Sequence, residues 1–183
     1  MSFALLQEDF KTLKKFLNGN SQKIKLFEDR DWDWFQIQDL FKIKKGKRLT
    51  KANMTEGNTP YIGAIDSNNG YREYIGQAPI HEGNTITVNY NGSVAESFYQ
   101  PNPFWATDDV NVLYPRFDLN PYIGLFFTTI IKLEKYRFNY GRKWHMERMN
   151  ISEIKIPVNN DGNPDYEFME NFMKSLPFGT KLM

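Results

Sequence analysis

NMTEGNTPYIGAIDSNNGYREYI, residues 53–75, decides how the fold is read. Three glycines, Pro60 and several asparagines punctuate it, and its apolar runs are short. Asn69-Gly70 separates YIGAID from YREYI. An Asn-Gly pair between two such segments predicts a hairpin, because both residues tolerate positive φ. The same turn chemistry presents backbone and small polar groups at a surface. The stretch is therefore either a plain hairpin or a hairpin that is read by a ligand.

Working outward, Asn91-Gly92 separates TITVNY from SVAESFY and predicts a second hairpin. Ile86, Val88 and Tyr90 alternate with Thr87 and Asn89, the pattern of a half-buried strand. Asn120 and Pro121 read as the N-cap and first residue of a helix over 121–135. Ile151, Ile154, Ile156 and Val158 predict a further strand, and 158–165 a loop. Asn163-Pro164 then opens a last helix, DYEFMENFMKSL, with Phe168, Met169, Phe172, Met173 and Leu176 on one face. At the other end Leu6, Phe10, Leu13 and Leu17 recur at helical spacing over 4–17, and Asn18-Gly19 supplies a stop. The expected class is α+β: a twisted, barrel-like, mostly antiparallel sheet with packed helices, plus short N- and C-terminal helices. The expected divisions are a helical segment at 1–30, the main domain at 31–158, and a loop with a short helix at 159–183.

Composition narrows the function. The 183 residues are 40% hydrophobic and 25% charged, which suits one globular domain with a real core. No cysteine is present, so disulfides and thiolate-ligated metals are excluded. The N-terminal segment meets Glu8 before any long apolar run, and YIGLFFTTII at 122–131 is half the length of a membrane span. These features predict a cytoplasmic protein without a membrane role.

Catalytic templates do not fit. His81 and His145 are the only histidines and lack metal-ligand spacing. The chain holds no GxSxG, no GxxxxGK[ST] and no GxGxxG after a strand. NPFW at 102–105 has one proline where an aminomethyltransferase loop has two, and it follows no glycine-rich cofactor loop. Pro164-Asp165 lacks the downstream Glu-x-Lys of a nuclease, since Glu153-Ile154-Lys155 precedes it. A hydrolase would have to draw on Glu82, Glu96, Asp108, Asp109 or His81. The residues favour a binder.

The net charge of +1 is uninformative, but its distribution is not. KIKKGKRLTK, 42–51, carries Lys42, Lys44, Lys45, Lys47, Arg48 and Lys51 with no acid. KLEKYRFNYGRKWHMERM, 132–149, sets Lys132, Lys135, Arg137, Arg142, Lys143 and Arg148 against Glu134 and Glu147. Tyr136, Phe138, Tyr140, Trp144 and His145 interleave with those cations. Such mixtures suit phosphate contact combined with base or sugar contact, although charge runs are also ordinary solvated loops. Asn and Gln read adenine and Arg reads guanine in the major groove, so Asn68, Asn69, Arg72 and Gln77 are candidate base readers. For the asparagines, turn chemistry is the competing reading. The aromatics leave open a protein- or glycan-binding β module with a stacking platform.

The ordered set of segments resembles the target recognition domains of type I restriction–modification specificity subunits and of the related BcgI-like enzymes. The matching pieces are 35–71, 83–115, YRFNYGRKWHMERMNISEIKIPV (136–158) and PDYEFMENFMKSL (164–176). They run as a strand into a Gly-Lys/Arg segment, a Pro-aromatic-Ile strand, an Asn-Gly hairpin, an aromatic strand, and an Arg-rich segment before an Ile-rich strand. The resemblance implies a non-enzymatic module that binds double-stranded DNA and guides a partner DNA methyltransferase/restriction subunit. It implies no cofactor in this chain, with S-adenosylmethionine in the partner. Lys45, Lys47 and Arg48 would hold the backbone, with Lys44 and Lys51 in the same run and Tyr140, Arg142 and Lys143 near the DNA. Full specificity subunits resemble two such domains. This chain has one, so it reads as a half subunit that pairs with itself, a fragment, or a degenerate copy, with a homodimer or a second recognition domain as the expected complement. The 4–17 and C-terminal helices are the candidate pairing surfaces, unless they cap the domain's own core.

Overall fold

A computed structural model describes residues 29–139 and 141–176. The helix expected at 4–17, Tyr140 and the last seven residues lie outside the described residues.

Among the described residues, nine strands form three sheets. Strand β1 (Trp32–Gln36) leads through a single-turn helix, α1 (Ile37–Leu40), into β2 (Phe41–Lys45). Strands β3 (Thr59–Ile62) and β4 (Tyr71–Ile75) form the first predicted hairpin, and β5 (Thr85–Asn89) and β6 (Ser97–Gln100) the second. The short β7 (Trp105–Ala106) and β8 (Val110–Pro115) precede helix α2 (Pro121–Leu133). Helix α3 (Met146–Asn150), β9 (Glu153–Pro157) and helix α4 (Tyr166–Ser175) complete the described chain. The orders are β1-β9, β2-β8-β5-β6 and β4-β3-β7. All pairings are antiparallel except β3 with β7.

The class is α+β and mostly antiparallel, as expected, but the sheets do not close into a barrel. After β2 the chain leaves the four-stranded sheet at Gly46, and β3 pairs with β4 and β7 instead.

The core lies between the four-stranded sheet and α2. Ile86, Val88 and Leu113 meet Ile123, Phe126, Phe127, Ile130 and Ile131. Burial of each such side chain contributes about 1.5–3 kcal/mol. Helix α2 starts where the sequence places it. Asn120 Oδ1 accepts from the backbone N–H groups of Tyr122 and Ile123, and Pro121 takes the first turn, where its missing N–H costs nothing. The helix stops at Leu133 and tightens into a 3₁₀ turn over Glu134–Arg137, short of the predicted 135.

Two further expectations change. Strand β5 is buried on both faces rather than one. Its polar alternates are covered and satisfied: Thr87 Oγ1 donates to Phe98 O, and Asn89 Nδ2 donates to Ile65 O. Ile151 is not in β9 but follows α3, 65% exposed. Its neighbour Ser152 is buried and bridges the Trp144 indole N–H to Arg148 O. Helix α4 sinks Met169 into the core, with Phe168, Phe172 and Met173 packed at its margin. Arg30 pairs with Asp165 at 2.6 Å and stacks on Phe168, tying the start of the described chain to α4.

Candidate nucleic-acid interface

The first basic run begins on an edge strand and turns sharply at Gly46. Gly46 N donates to Val110 O, and Lys47 N donates to Ala106 O at 2.8 Å. A β-carbon on Gly46 would run into the carbonyl oxygens of Thr107 and Ala106, so only glycine fits the approach. Trp105 Nε1 donates to Lys47 O at 2.9 Å, a second tie on the same turn.

From there residues 46–58 cross one face of the three-stranded sheet as a strap. Leu49 and Met54 pack on Tyr61, Ile75 and Trp105. The far end is held at Gly76, whose N donates to Thr55 O at 2.7 Å, and Gly57 abuts the Gly76 backbone. Gln77 closes the join, with its amide donating to Asn53 O and accepting from Thr55 N. The apolar side chains of the strap point inward, while Lys47, Arg48 and Lys51 are exposed.

The other loops gather at the Gly46 end. Thr107 N donates to Ile62 O at 2.9 Å. Gly92 lies against Ala64, and Asn89 reaches Ile65. Tyr90 N donates to Asp109 O, and Asn91 Nδ2 donates to Asp109 Oδ1 at 2.8 Å. The Asp108 carboxylate accepts from Thr107 Oγ1. Turns at 46–48, 63–70, 90–92 and 107–109 therefore share one end of the sheets.

The second basic stretch comes to the same place through Tyr90. Lys45 Nζ lies 5.2 Å from the Tyr90 ring centre, within cation–π range. The His145 ring lies 5.2 Å from the same ring. Helix α3 packs on β2, and Asn111 Nδ2 reaches Met149 Sδ beneath them. Two basic segments about a hundred residues apart in sequence thus meet around one nearly buried tyrosine.

The cations of the second stretch have different fates. Lys132 and Lys135 both pair with Glu96, at 3.6 and 2.7 Å. Arg137 pairs with Glu134 at 2.6 Å and donates to Glu153 O. Burial raises the Glu134 carboxyl above its ordinary range, against the pull of Arg137. Arg148 donates to Lys143 O. Arg142 is exposed, without a carboxylate partner among the described residues. Much of the interleaved aromatic surface is core: Phe138 stacks on buried Trp144 at 4.3 Å.

The remaining candidates divide in the same way. Asn68 and Asn69 adopt left-handed backbone at φ 49° and 51°. Asn69 Nδ2 donates to Tyr99 O and Asn68 Nδ2 to Tyr71 O, so both amides serve the turn. Lys44 Nζ sits 3.9 Å from the Tyr114 ring centre. Tyr114 Oη is 3.0 Å from His81 Nδ1, and His81 stacks on Phe104. Burial, and then the Lys44 charge, lower the His81 pKa to about 4. Of the hydrolase candidates, Glu96 is held by two lysines and His81 by aromatic packing. No three His, Cys, Asp or Glu residues cluster to hold a metal among the described residues. None of the described helices is long and apolar enough to cross a membrane.

Sequence reasoning missed Tyr90 and His145 as the joint of the site. Nothing local marks them, because the joint depends on the pairing of β2, β8 and β5. The glycine in KKGKR was the legible part.

Comparison with known proteins fits this geometry. Residues 29–179 match the type I restriction modification DNA specificity domain, and the chain belongs to that family. It is 41% identical over 161 residues to the type II restriction enzyme specificity subunit S.BcgI of Heyndrickxia coagulans, covering 85% of this chain and 46% of that protein. It is 26% identical over 129 residues to the type I restriction enzyme MpnII specificity subunit of Mycoplasma pneumoniae, covering 68% of this chain and 38% of that protein. The S subunit of a type I restriction-modification system from M. genitalium superposes with a TM-score of 0.65 at 18% identity, over 97% of this chain and 49% of that one. The HsdS subunit of Thermoanaerobacter tengcongensis superposes with a TM-score of 0.62 at 13% identity, over 97% and 48%. The chain spans about half the length of most of these relatives.

Proposed function

We propose that this chain is a sequence-specific reader of double-stranded DNA that directs a partner DNA methyltransferase/restriction subunit to its target. The observation that supports the reading is that Lys45 and His145 both lie against Tyr90, which joins the run holding Lys47 and Arg48 to the segment holding Arg142 and Lys143 at an end built of four turns. Cations on anchored loops hold phosphates, and the neighbouring loop side chains read base edges. The chain itself carries out no chemistry. S-adenosylmethionine belongs to the partner, which acts on an adenine taken out of the stack.

Since the chain spans about half of most of its relatives, its target is one part of a split site. A second recognition domain reads the other part. Two readers share the affinity, so one alone binds more weakly. A pair of identical copies reads a mirrored site.

The test is selection of duplexes with a randomised centre by the full chain at low salt, followed by sequencing. Enrichment of a short fixed motif supports the reading, and a mirrored pair of motifs adds the dimer. Absence of any duplex retention, with and without a methyltransferase subunit, overturns it.

A further inference from the structure

Strand β4 breaks register at its first residues. Tyr71 pairs with Ile62 and Glu73 with Tyr61, so Arg72 is an extra residue with no partner across the hairpin. Such a bulge re-aims the side chain it carries. The Arg72 stem then lies across Gly63, where a β-carbon would strike its Cδ and Cγ. Gly63 is buried and its N donates to Gly70 O, so the groove under Arg72 is fixed by backbone. Arg72 is exposed, and no carboxylate pairs with it among the described residues. In the same strand the Tyr71 ring and the largely exposed Tyr74 ring stack on each other, with 6.5 Å between their centres.

Its place in the sheet matters as much as its aim. Ala106 pairs with Ile62, and Ile62 with Tyr71. Lys47 hydrogen-bonds to Ala106, so Lys47, Ala106, Ile62 and Tyr71 form one row across the strands. Three strand spacings put Lys47 about 14 Å from the start of β4. That span is comparable to the major groove, about 12 Å wide. A lysine holding phosphate at one end of the row thus sets Arg72 over base edges at the other. The amides of Asn69 and Gln77 are committed to backbone and cannot take this role.

We propose that Arg72 is a specificity-determining residue that takes a guanine through its O6 and N7 edge, with Gly63 as the positioning residue beneath it. The inference rests on the DNA-reading function proposed above. A guanidinium fork matches those two acceptors, while an ammonium does not.

The experiment is the same duplex selection, run with the full-length chain and with Arg72→Ala, Arg72→Lys and Gly63→Ala. The expected result is a wild-type motif containing one guanine whose preference falls about ten- to a hundredfold in all three variants. Affinity for a duplex of unrelated sequence changes less than about threefold, and circular dichroism is unchanged. Gly63→Ala is the telling variant, because it displaces a flexible side chain without touching charge. If the variants enrich the wild-type motif unchanged, or the motif has no guanine, the role of Arg72 is overturned while DNA reading stands. If the wild type retains no duplex, with and without a methyltransferase subunit, both fall.

Discussion

Gly46 lies so close to Thr107 that a β-carbon would collide with the Thr107 carbonyl oxygen. This single approach sets the direction in which Lys47 and Arg48 leave the sheet. Gly46→Ala should therefore destabilise the fold by about 1–3 kcal/mol, the usual cost of overpacking. It should also weaken DNA binding at temperatures where the variant is still folded. Urea unfolding and a binding titration on one preparation check both. Unchanged stability would show that the 106–107 backbone yields easily.

Lys47 and Arg48 are exposed and bear no ion pair among the described residues. With the phosphate contact proposed for them, Lys47→Ala with Arg48→Ala should weaken all duplexes alike. The slope of log K against log salt should become shallower by about two. A change in motif with an unchanged slope would make them base readers instead.

Ser152 accepts from the Trp144 indole and donates to Arg148 O. Ser152→Ala leaves the indole N–H buried and unpaired, at a cost of about 1–3 kcal/mol. The segment 142–150 hangs on this link, so its amide exchange should rise more than that of β5. Native-state hydrogen exchange reads the difference.

His81 gives the pH dependence. Its folded pKa is about 4, below the ordinary value of 6.5, because burial and then Lys44 disfavour the cation. Unfolding takes up a proton in that window. The stability contributed is present above pH 6.5 and is lost as pH falls through about 4. His81→Gln should flatten the curve of unfolding free energy between those limits. An unchanged curve would assign the acid sensitivity to other groups.

Local chemistry was legible and its assembly was not. Asn69-Gly70 and Asn120-Pro121 each announced a turn or a helix start, because φ preference and capping act within a few residues. The lysines and arginines of 42–51 stood out for want of any acid nearby. The three-way division of the sheets did not show, since alternation reports which side of a strand is apolar and not which strand it joins. The double burial of β5 escaped for the same reason: Thr87 and Asn89 look solvent-facing until Phe98 of β6 and Ile65 of the 63–70 turn take up their polar groups. In the second basic stretch, Lys132 and Lys135 read as available until Glu96, far away in sequence, was folded beside them.

The strap over residues 46–58 is fastened at each edge by main chain meeting main chain, at Gly46 with Thr107 and at Gly57 with Gly76. Fastenings of that kind are blind to the identity of the outward side chains. A lineage of such domains is free to exchange the residues at positions 47, 48 and 51 without reopening the fold. The strength of the proposed grip on the duplex is then tuned by small steps, each leaving a protein that still folds, and the glycines become the slowest-changing letters in the segment.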